Sequence, residues 1–163
     1  MKKIIFSLLV AVVSTGAFAQ FEKGTKYVNA TLTGFGLDYC DTGGFHIGIK
    51  AGGGYFIADS WMLQSQVGWD HQDGANNFDI GFGARYYMAR NGFFFSGGLK
   101  YGAVNPGGDA EVSRNIYLTP DVGYCFYLND HISIEPSVFC DLSLNHIASF
   151  TKVGLKVSFG YYF

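Results

Sequence analysis

The chain has 163 residues, among them 23 Gly, 16 Phe, 11 Tyr and 2 Trp, and a formal net charge of −2 from 11 basic and 13 acidic side chains. So much glycine argues against a helical bundle or coiled coil, since each one in a helix interior costs about 1 kcal/mol relative to Ala, and so many aromatics with nearly balanced charge argue against disorder. With no basic run beyond the first residues, the electrostatic attraction that drives nucleic-acid binding is missing too.

Residues 1–20 read MKKIIFSLLVAVVSTGAFAQ: two lysines, an apolar stretch from Ile4 to Val13, and small residues ending in Ala17-Phe18-Ala19. This is the layout of a secretory signal peptide, cleaved after Ala19. A spanning helix would need about 20 apolar residues. The remaining chain, 20–163, is the size of one domain. It loses Lys2 and Lys3 but no acid, so its net charge moves to −4. Its longest apolar run, Tyr124 to Leu128, cannot form a transmembrane helix, so any residence in a membrane must use strands.

Beyond the leader the dominant period is two. From Asn77 to Met88, Phe78, Ile80, Phe82, Ala84, Tyr86 and Met88 oppose Asn77, Asp79, Gly81, Gly83, Arg85 and Tyr87. The same split runs from His131 to Asn145 and through the last twelve residues, where Val153, Leu155, Val157, Phe159, Tyr161 and Phe163 share one face. Alternation sustained this long predicts β-strands. In chain order they cover 26–36, 44–58, 61–70, 77–88, 93–104, 115–128, 131–144 and 151–163. Most exceed the globular norm of roughly 5 to 6 residues and match the roughly 9 to 11 needed by a tilted membrane-crossing strand.

The connections fall into two classes. Asp59-Ser60, 89–92 with Asn91-Gly92, and Asn129-Asp130 are tight turns. Residues 37–43, 71–76, 105–114 and 145–150 are expected to form longer loops. Short turns alternating with long loops around an even number of strands predict an all-β, eight-stranded, antiparallel up-and-down transmembrane β-barrel with both termini in the periplasm. A soluble barrel with the apolar face inward would need an outer face rich in Lys and Glu, and the second face is instead rich in Gly. Tyr55, Trp61, Tyr86, Phe93, Phe126 and Tyr161 near the turn end, with Phe45, Trp69, Phe78 and Tyr101 toward the loop end, are placed as two interfacial girdles. Pro120 and Pro136 fall inside strands, where a barrel offers no edge for a missing N–H, so a bulge or local break is expected near each.

The final residues, GLKVSFGYYF, with Val157, Phe159, Tyr161 and Phe163 alternating, resemble the C-terminal signal read by the barrel assembly machinery. With QFEKGTKYVNATLTGFGL, WMLQSQVGW, GFGARYYM and HISIEPSVF, the whole of 20–163 resembles the small outer-membrane β-barrel family common in Bacteroidetes, similar in architecture to OmpA/OmpX-type barrels. The resemblance implies membrane residence and assembly: outer-membrane lipid as surroundings, the assembly machinery and periplasmic chaperones as partners during biogenesis, and a monomer. It implies no catalytic residue and no cofactor.

The inward face carries Lys50, Arg85, Lys100, Lys152 and Lys156 against Asp79, Asp121, Glu135 and Asp141, with Gln64 and Gln66 beside them. An eight-stranded interior is just wide enough for side chains to fill, and buried charges must be paired. Lys50, Arg85, Lys100, Asp121, Glu135 and Lys156 are therefore expected to form an interior charge network that plugs the lumen. Inward-facing glycines leave room for Lys50, Lys100 and Asp121 to meet. The alternatives are a narrow channel or carrier for small apolar solutes, and a lipid A modifying enzyme using His146 with Ser149 and Asp141, for which no spacing motif exists. His46, His71, His131 and His146 show no metal-ligand spacing and are expected at loops or rims. Cys125 points inward and Cys140 outward near the opposite end, which disfavours a bridge between them. Cys40 lies in the first loop, and all three thiols are expected to be free. The reading is a non-catalytic outer-membrane barrel with a structural or cell-surface role.

Overall fold

A computed structural model describes residues 21–33, 46–72, 75–88, 91–105, 113–144 and 152–163. The predicted leader and its cleavage point, and also Cys40, Phe45, His146 and Ser149, lie outside the described residues.

Because successive side chains in a strand point to opposite faces, each alternating segment can line a lumen with one row and face outward with the other. The chain does this in ten strands: β1 Lys26–Thr33, β2 His46–Ala58, β3 Trp61–Gln72, β4 Ala75–Tyr87, β5 Phe93–Asn105, β6 Ser113–Leu118, β7 Asp121–Tyr124, β8 Phe126–Tyr127, β9 Ile132–Ser143 and β10 Lys152–Tyr162. All pairings are antiparallel, and β10 returns to β1, from Tyr27 opposite Tyr162 to Thr33 opposite Lys156, to close the ring. Strands β6, β7 and β8 are consecutive pieces of a single wall strand between β5 and β9, so the barrel has eight staves.

Two features of this sixth stave depart from one unbroken strand over 115–128. It is interrupted at Thr119-Pro120 and again at Cys125, yet its register does not shift: Leu118 opposes Leu142, Asp121 opposes Phe139 and Phe126 opposes Ile134. The physical cause is two absent donors on one seam. Cys140 N–H donates to Pro120 C=O at 2.9 Å, and proline cannot return the bond. Two steps of alternation along the seam, Pro136 stands in the equivalent position facing Tyr124, while β9 itself continues through it. Both prolines thus produce breaks without bulges. A register irregularity does occur elsewhere, between Phe56 and Ala58 beside the Asp59-Ser60 turn, where Ser60 adopts a φ of 67°.

The 71–76 connection is shorter than the expected loop. β3 and β4 remain paired to Gln72 opposite Ala75, so only two residues join them. In the sequence, an Asp-Gly dipeptide between two alternating segments is a signal for a tight connection.

The barrel is apolar on the outside. Phe78, Phe82 and Leu128 are 63%, 65% and 63% exposed, and Val28, Ile49, Leu63, Val67, Leu99, Val138 and Phe159 share that surface. Among described strand residues facing outward, only Lys26 and Arg114 carry charge. In water such a continuous surface far exceeds the few hundred Å² that a soluble monomer exposes; in hydrocarbon it is the favoured exterior. Of the expected girdles, Tyr55, Trp61, Tyr86 and Tyr161 are exposed at one end and Trp69, Phe78 and Tyr101 toward the other, while Phe93 and Phe126 are half-buried. The inward glycines let the wall curve. Gly83 opposes Gly98, and a Cβ on Gly98 would stand 2.3 Å from the Phe82 carbonyl oxygen.

Candidate functional site: the barrel lumen

At the turn end the lumen is closed by an aromatic floor. Phe21, Tyr27, Phe56, Met62, Tyr87, Phe94, Cys125 and Tyr162 are all buried there, with Tyr127 packed against them. Phe21 enters from the segment before β1 and stacks on Tyr87 at 4.1 Å between ring centroids. A turn holds it in place: Ser60 N–H donates to Phe21 C=O at 2.7 Å and Gly24, at φ 99°, donates to Phe56 C=O at 2.9 Å. This plugging residue is absent from the sequence-based expectations, because an isolated aromatic followed by Glu22, Lys23 and Gly24 belongs to no alternating pattern.

On this floor rests a buried pair. Arg85 Nη1 lies 2.6 Å from Glu135 Oε2, and both side chains are almost wholly withdrawn from solvent. Three hydroxyls donate to the same carboxylate: Tyr27 at 2.8 Å, Tyr162 at 2.9 Å and Ser133 at 2.8 Å. The guanidinium donates to Tyr87 Oη at 3.2 Å and stands 4.1 Å from the centre of the Phe94 ring. Taking two charges out of water costs several kcal/mol each, and these hydrogen bonds offset much of it on the carboxylate side, while Arg85 Nε stays buried without a partner. Cys125 lies at the edge of this layer, its Sγ 3.7 Å from Glu135 Oε1.

Further toward the loop end, Asp121 is in contact with Lys156 and accepts from Ser96 Oγ at 2.5 Å. Asp141 is in contact with Lys100, whose ammonium lies 4.6 Å from the centre of the Tyr117 ring. Lys50 lies 3.6 Å from Asp79 and Lys152 3.7 Å from Asp70. All six residues of the expected network thus project into the lumen, but Lys50, Lys100 and Asp121 do not meet: each takes a different partner. Register explains the choice for Lys50. Gly68 stands directly between Lys50 and Asp79 in the sheet, and a Cβ there would lie 2.6 Å from Asp79 Oδ2.

Among the described residues, two small cavities lie around Gln64 and Gln66. One, of about 30 Å³, is bordered by Lys50, Asp121, Asp141 and Lys156; the other, of about 20 Å³, lies between Asn29, Thr31, Arg85 and Ser158. A water needs about 10–15 Å³, so each has room for one to three waters.

Of the residues considered for catalysis, only Asp141 lies among the described residues. Asp141 is engaged by Lys100. His71 is exposed and bonded to Asn76 at 3.1 Å, and His131 lies 2.9 Å from the Tyr162 carbonyl oxygen at the turn end. No group of three or more His, Cys, Asp or Glu side chains placed to hold a metal ion occurs among the described residues. Cys125 and Cys140 are free thiols. At the C-terminus, Phe159, Tyr161 and Phe163 are exposed on the outer surface and Val157 is half-buried on the same face.

No protein-family model matches the chain, and no curated protein is similar to it in sequence. Its fold is shared with solved outer-membrane barrels. The N-terminal β-barrel domain of Pseudomonas aeruginosa OprF superposes with a TM-score of 0.70 at 16% identity, covering 86% of this chain and 98% of that one. Neisserial surface protein A gives 0.61 at 13% identity, with 85% and 96% covered. OprG of Pseudomonas aeruginosa gives 0.53 at 14% identity, with 88% and 98% covered. At such identities the likeness is one of fold: an eight-stranded antiparallel transmembrane barrel.

Proposed function

We propose that this chain is an integral outer-membrane protein, exported by means of residues 1–19, whose barrel is a closed and non-catalytic scaffold with a structural or cell-surface interaction role. The observation that carries this reading is the filled lumen. Among the described residues, five cation–anion pairs and an aromatic floor lie in the lumen through which a solute would pass. A carrier for apolar solutes needs an apolar path, and this interior is charged along its length. An acyl-transfer role would require Asp141 to leave Lys100.

On this reading any interaction role falls to the longer connections at the rim opposite the Phe21 floor, with outer-membrane lipid around the wall and a monomer as the working unit. Val157, Phe159, Tyr161 and Phe163 serve assembly, which fits the resemblance to the small Bacteroidetes barrels. The test is electrical. Purified full-length protein in planar bilayers is expected to give no reproducible conductance steps; stable unitary steps would overturn the closed-scaffold reading. Phe163→Ala is expected to lower the amount of folded barrel in cells while leaving refolding of purified protein unchanged.

A further inference from the structure

The smaller of the two lumen cavities, about 20 Å³, is bordered by both Arg85 and Lys156. Among the described residues no Asp or Glu borders it, whereas Asp121 and Asp141 border the larger one. Arg85 spends Nη1 on Glu135 and Tyr87, at 2.6 and 3.2 Å, and keeps a buried Nε–H that has no hydrogen-bond partner. Its side chain is 3% exposed, and a guanidinium can only donate.

The strands that converge here bring further donors to the same small space. Thr31 of β1 and Ser158 of β10 are direct neighbours in register, and both border the cavity with their hydroxyls 2.7 Å apart. That bond uses one of two hydroxyl protons and leaves the other unspent. Asn29, whose Nδ2 lies 3.5 Å from Thr31 Oγ1, adds an amide from the same face of β1, and Gln64 adds one from β3. Lys156 is in contact with Asp121 and carries three N–H donors, more than that carboxylate takes up. A buried donor left without a partner, as Arg85 Nε is, calls for an occupant, an ordered water or an ion.

Such a lining selects an acceptor. A water has two protons of its own to place among these donors, whereas a monatomic anion has none and accepts from all of them through charge-assisted hydrogen bonds. The volume has room for about one or two waters, which excludes phosphate, sulfate and carboxylates by size. We propose that this cavity is a halide site, occupied by chloride, with Arg85 Nε, the Lys156 ammonium, the Thr31–Ser158 hydroxyl pair and the Gln64 amide as its donors. Both cations already carry a carboxylate, Glu135 and Asp121, so the ion is held weakly and exchanges with salt in the medium. Bound there, it links the two ion pairs and stabilises the folded barrel by mass action.

The probes are chloride and its anomalously scattering substitute bromide. Crystals of full-length protein folded in detergent and soaked in sodium bromide are expected to show an anomalous peak in this cavity, beside Arg85 Nε. In phospholipid vesicles, chloride should raise the urea midpoint of the wild-type protein relative to gluconate, an anion too large for the cavity, at equal ionic strength. Gln64→Glu sets a carboxylate of the same size at the cavity and should weaken the apparent affinity for chloride tenfold or more. Ser158→Ala should weaken it several-fold, and Glu22→Gln, exposed and outside the lumen, should leave it unchanged. Heat-modifiable electrophoretic mobility verifies that each variant is folded, and the wild-type diffraction keeps the test independent of the variants. No bromide peak in the cavity, a wild-type midpoint indifferent to chloride, or a chloride response that both lumen variants leave intact would overturn the proposal.

Discussion

Replacing Arg85 by Met probes the energetics of the lumen most sharply. The substitution keeps much of the side-chain volume against Phe94 but removes the cation 2.6 Å from Glu135. The carboxylate then keeps its hydroxyl donors from Tyr27, Tyr162 and Ser133 and loses its counter-charge, in a site shut off from solvent by the Phe21 floor. Breaking a buried pair from one side costs roughly 3–5 kcal/mol. Because total stabilities are commonly about 5–15 kcal/mol, the variant should unfold at much lower urea concentration in reversible titrations from phospholipid vesicles, followed by the folded and unfolded electrophoretic bands. Arg85→Met with Glu135→Leu removes both charges. Replacing a buried pair by apolar groups is often nearly neutral, although three hydroxyls must find new partners, so the double variant should recover at least about 2 kcal/mol of the loss. A single variant within about 1 kcal/mol of wild type, or a double variant worse than the sum of its parts, would refute this account of the charge layer.

Other consequences follow from the wall and the floor. Gly98→Ala places a Cβ 2.3 Å from the Phe82 carbonyl oxygen and should cost about 1–3 kcal/mol through strain, whereas Gly97→Ala meets nothing within 4 Å and should be neutral in the same urea titration. Pro120→Ala supplies the donor missing opposite Cys140. The new hydrogen bond, about 0.5–1.5 kcal/mol, is nearly cancelled by the extra entropy of the unfolded chain, about 0.4–1 kcal/mol, so stability should barely move while hydrogen exchange shows the new amide to be protected. An amide at 120 that exchanges within seconds would show that the two strands are not paired there. Phe21→Ala removes a ring with no exposed surface and should lower stability by about 3–5 kcal/mol, with the eight-stave circular dichroism spectrum retained.

Much of the architecture was legible because parity along a strand is a direct record of facing. Asp79, Gly81, Gly83 and Arg85 had to share one surface of β4 once Phe78, Ile80 and Phe82 shared the other, and that assigned the exterior and the lumen together. Which lysine meets which acid was not legible. Lys50 reaches Asp79 because Gly68 separates them in the row, a fact of inter-strand register that no single strand encodes. The pairing of Gln72 with Ala75 could have been anticipated from the Asp-Gly dipeptide between them, but the polar run from His71 to Asn76 resembles a loop when only composition is weighed. Phe21 was hidden for a different reason: its burial depends on a turn that folds back into a lumen formed by segments far along the chain.

The most direct test of an inverted barrel with its apolar face in lipid uses the two tryptophans, which face outward near opposite ends, Trp61 at 48% and Trp69 at 43% exposure. In Trp61→Phe and Trp69→Phe, each leaving one tryptophan, fluorescence is measured in vesicles of brominated phospholipid and against aqueous iodide. The account predicts strong quenching of both by the brominated lipid, greatest with bromine placed near the headgroups, and little quenching by iodide. Efficient iodide quenching with none from brominated lipid would contradict it.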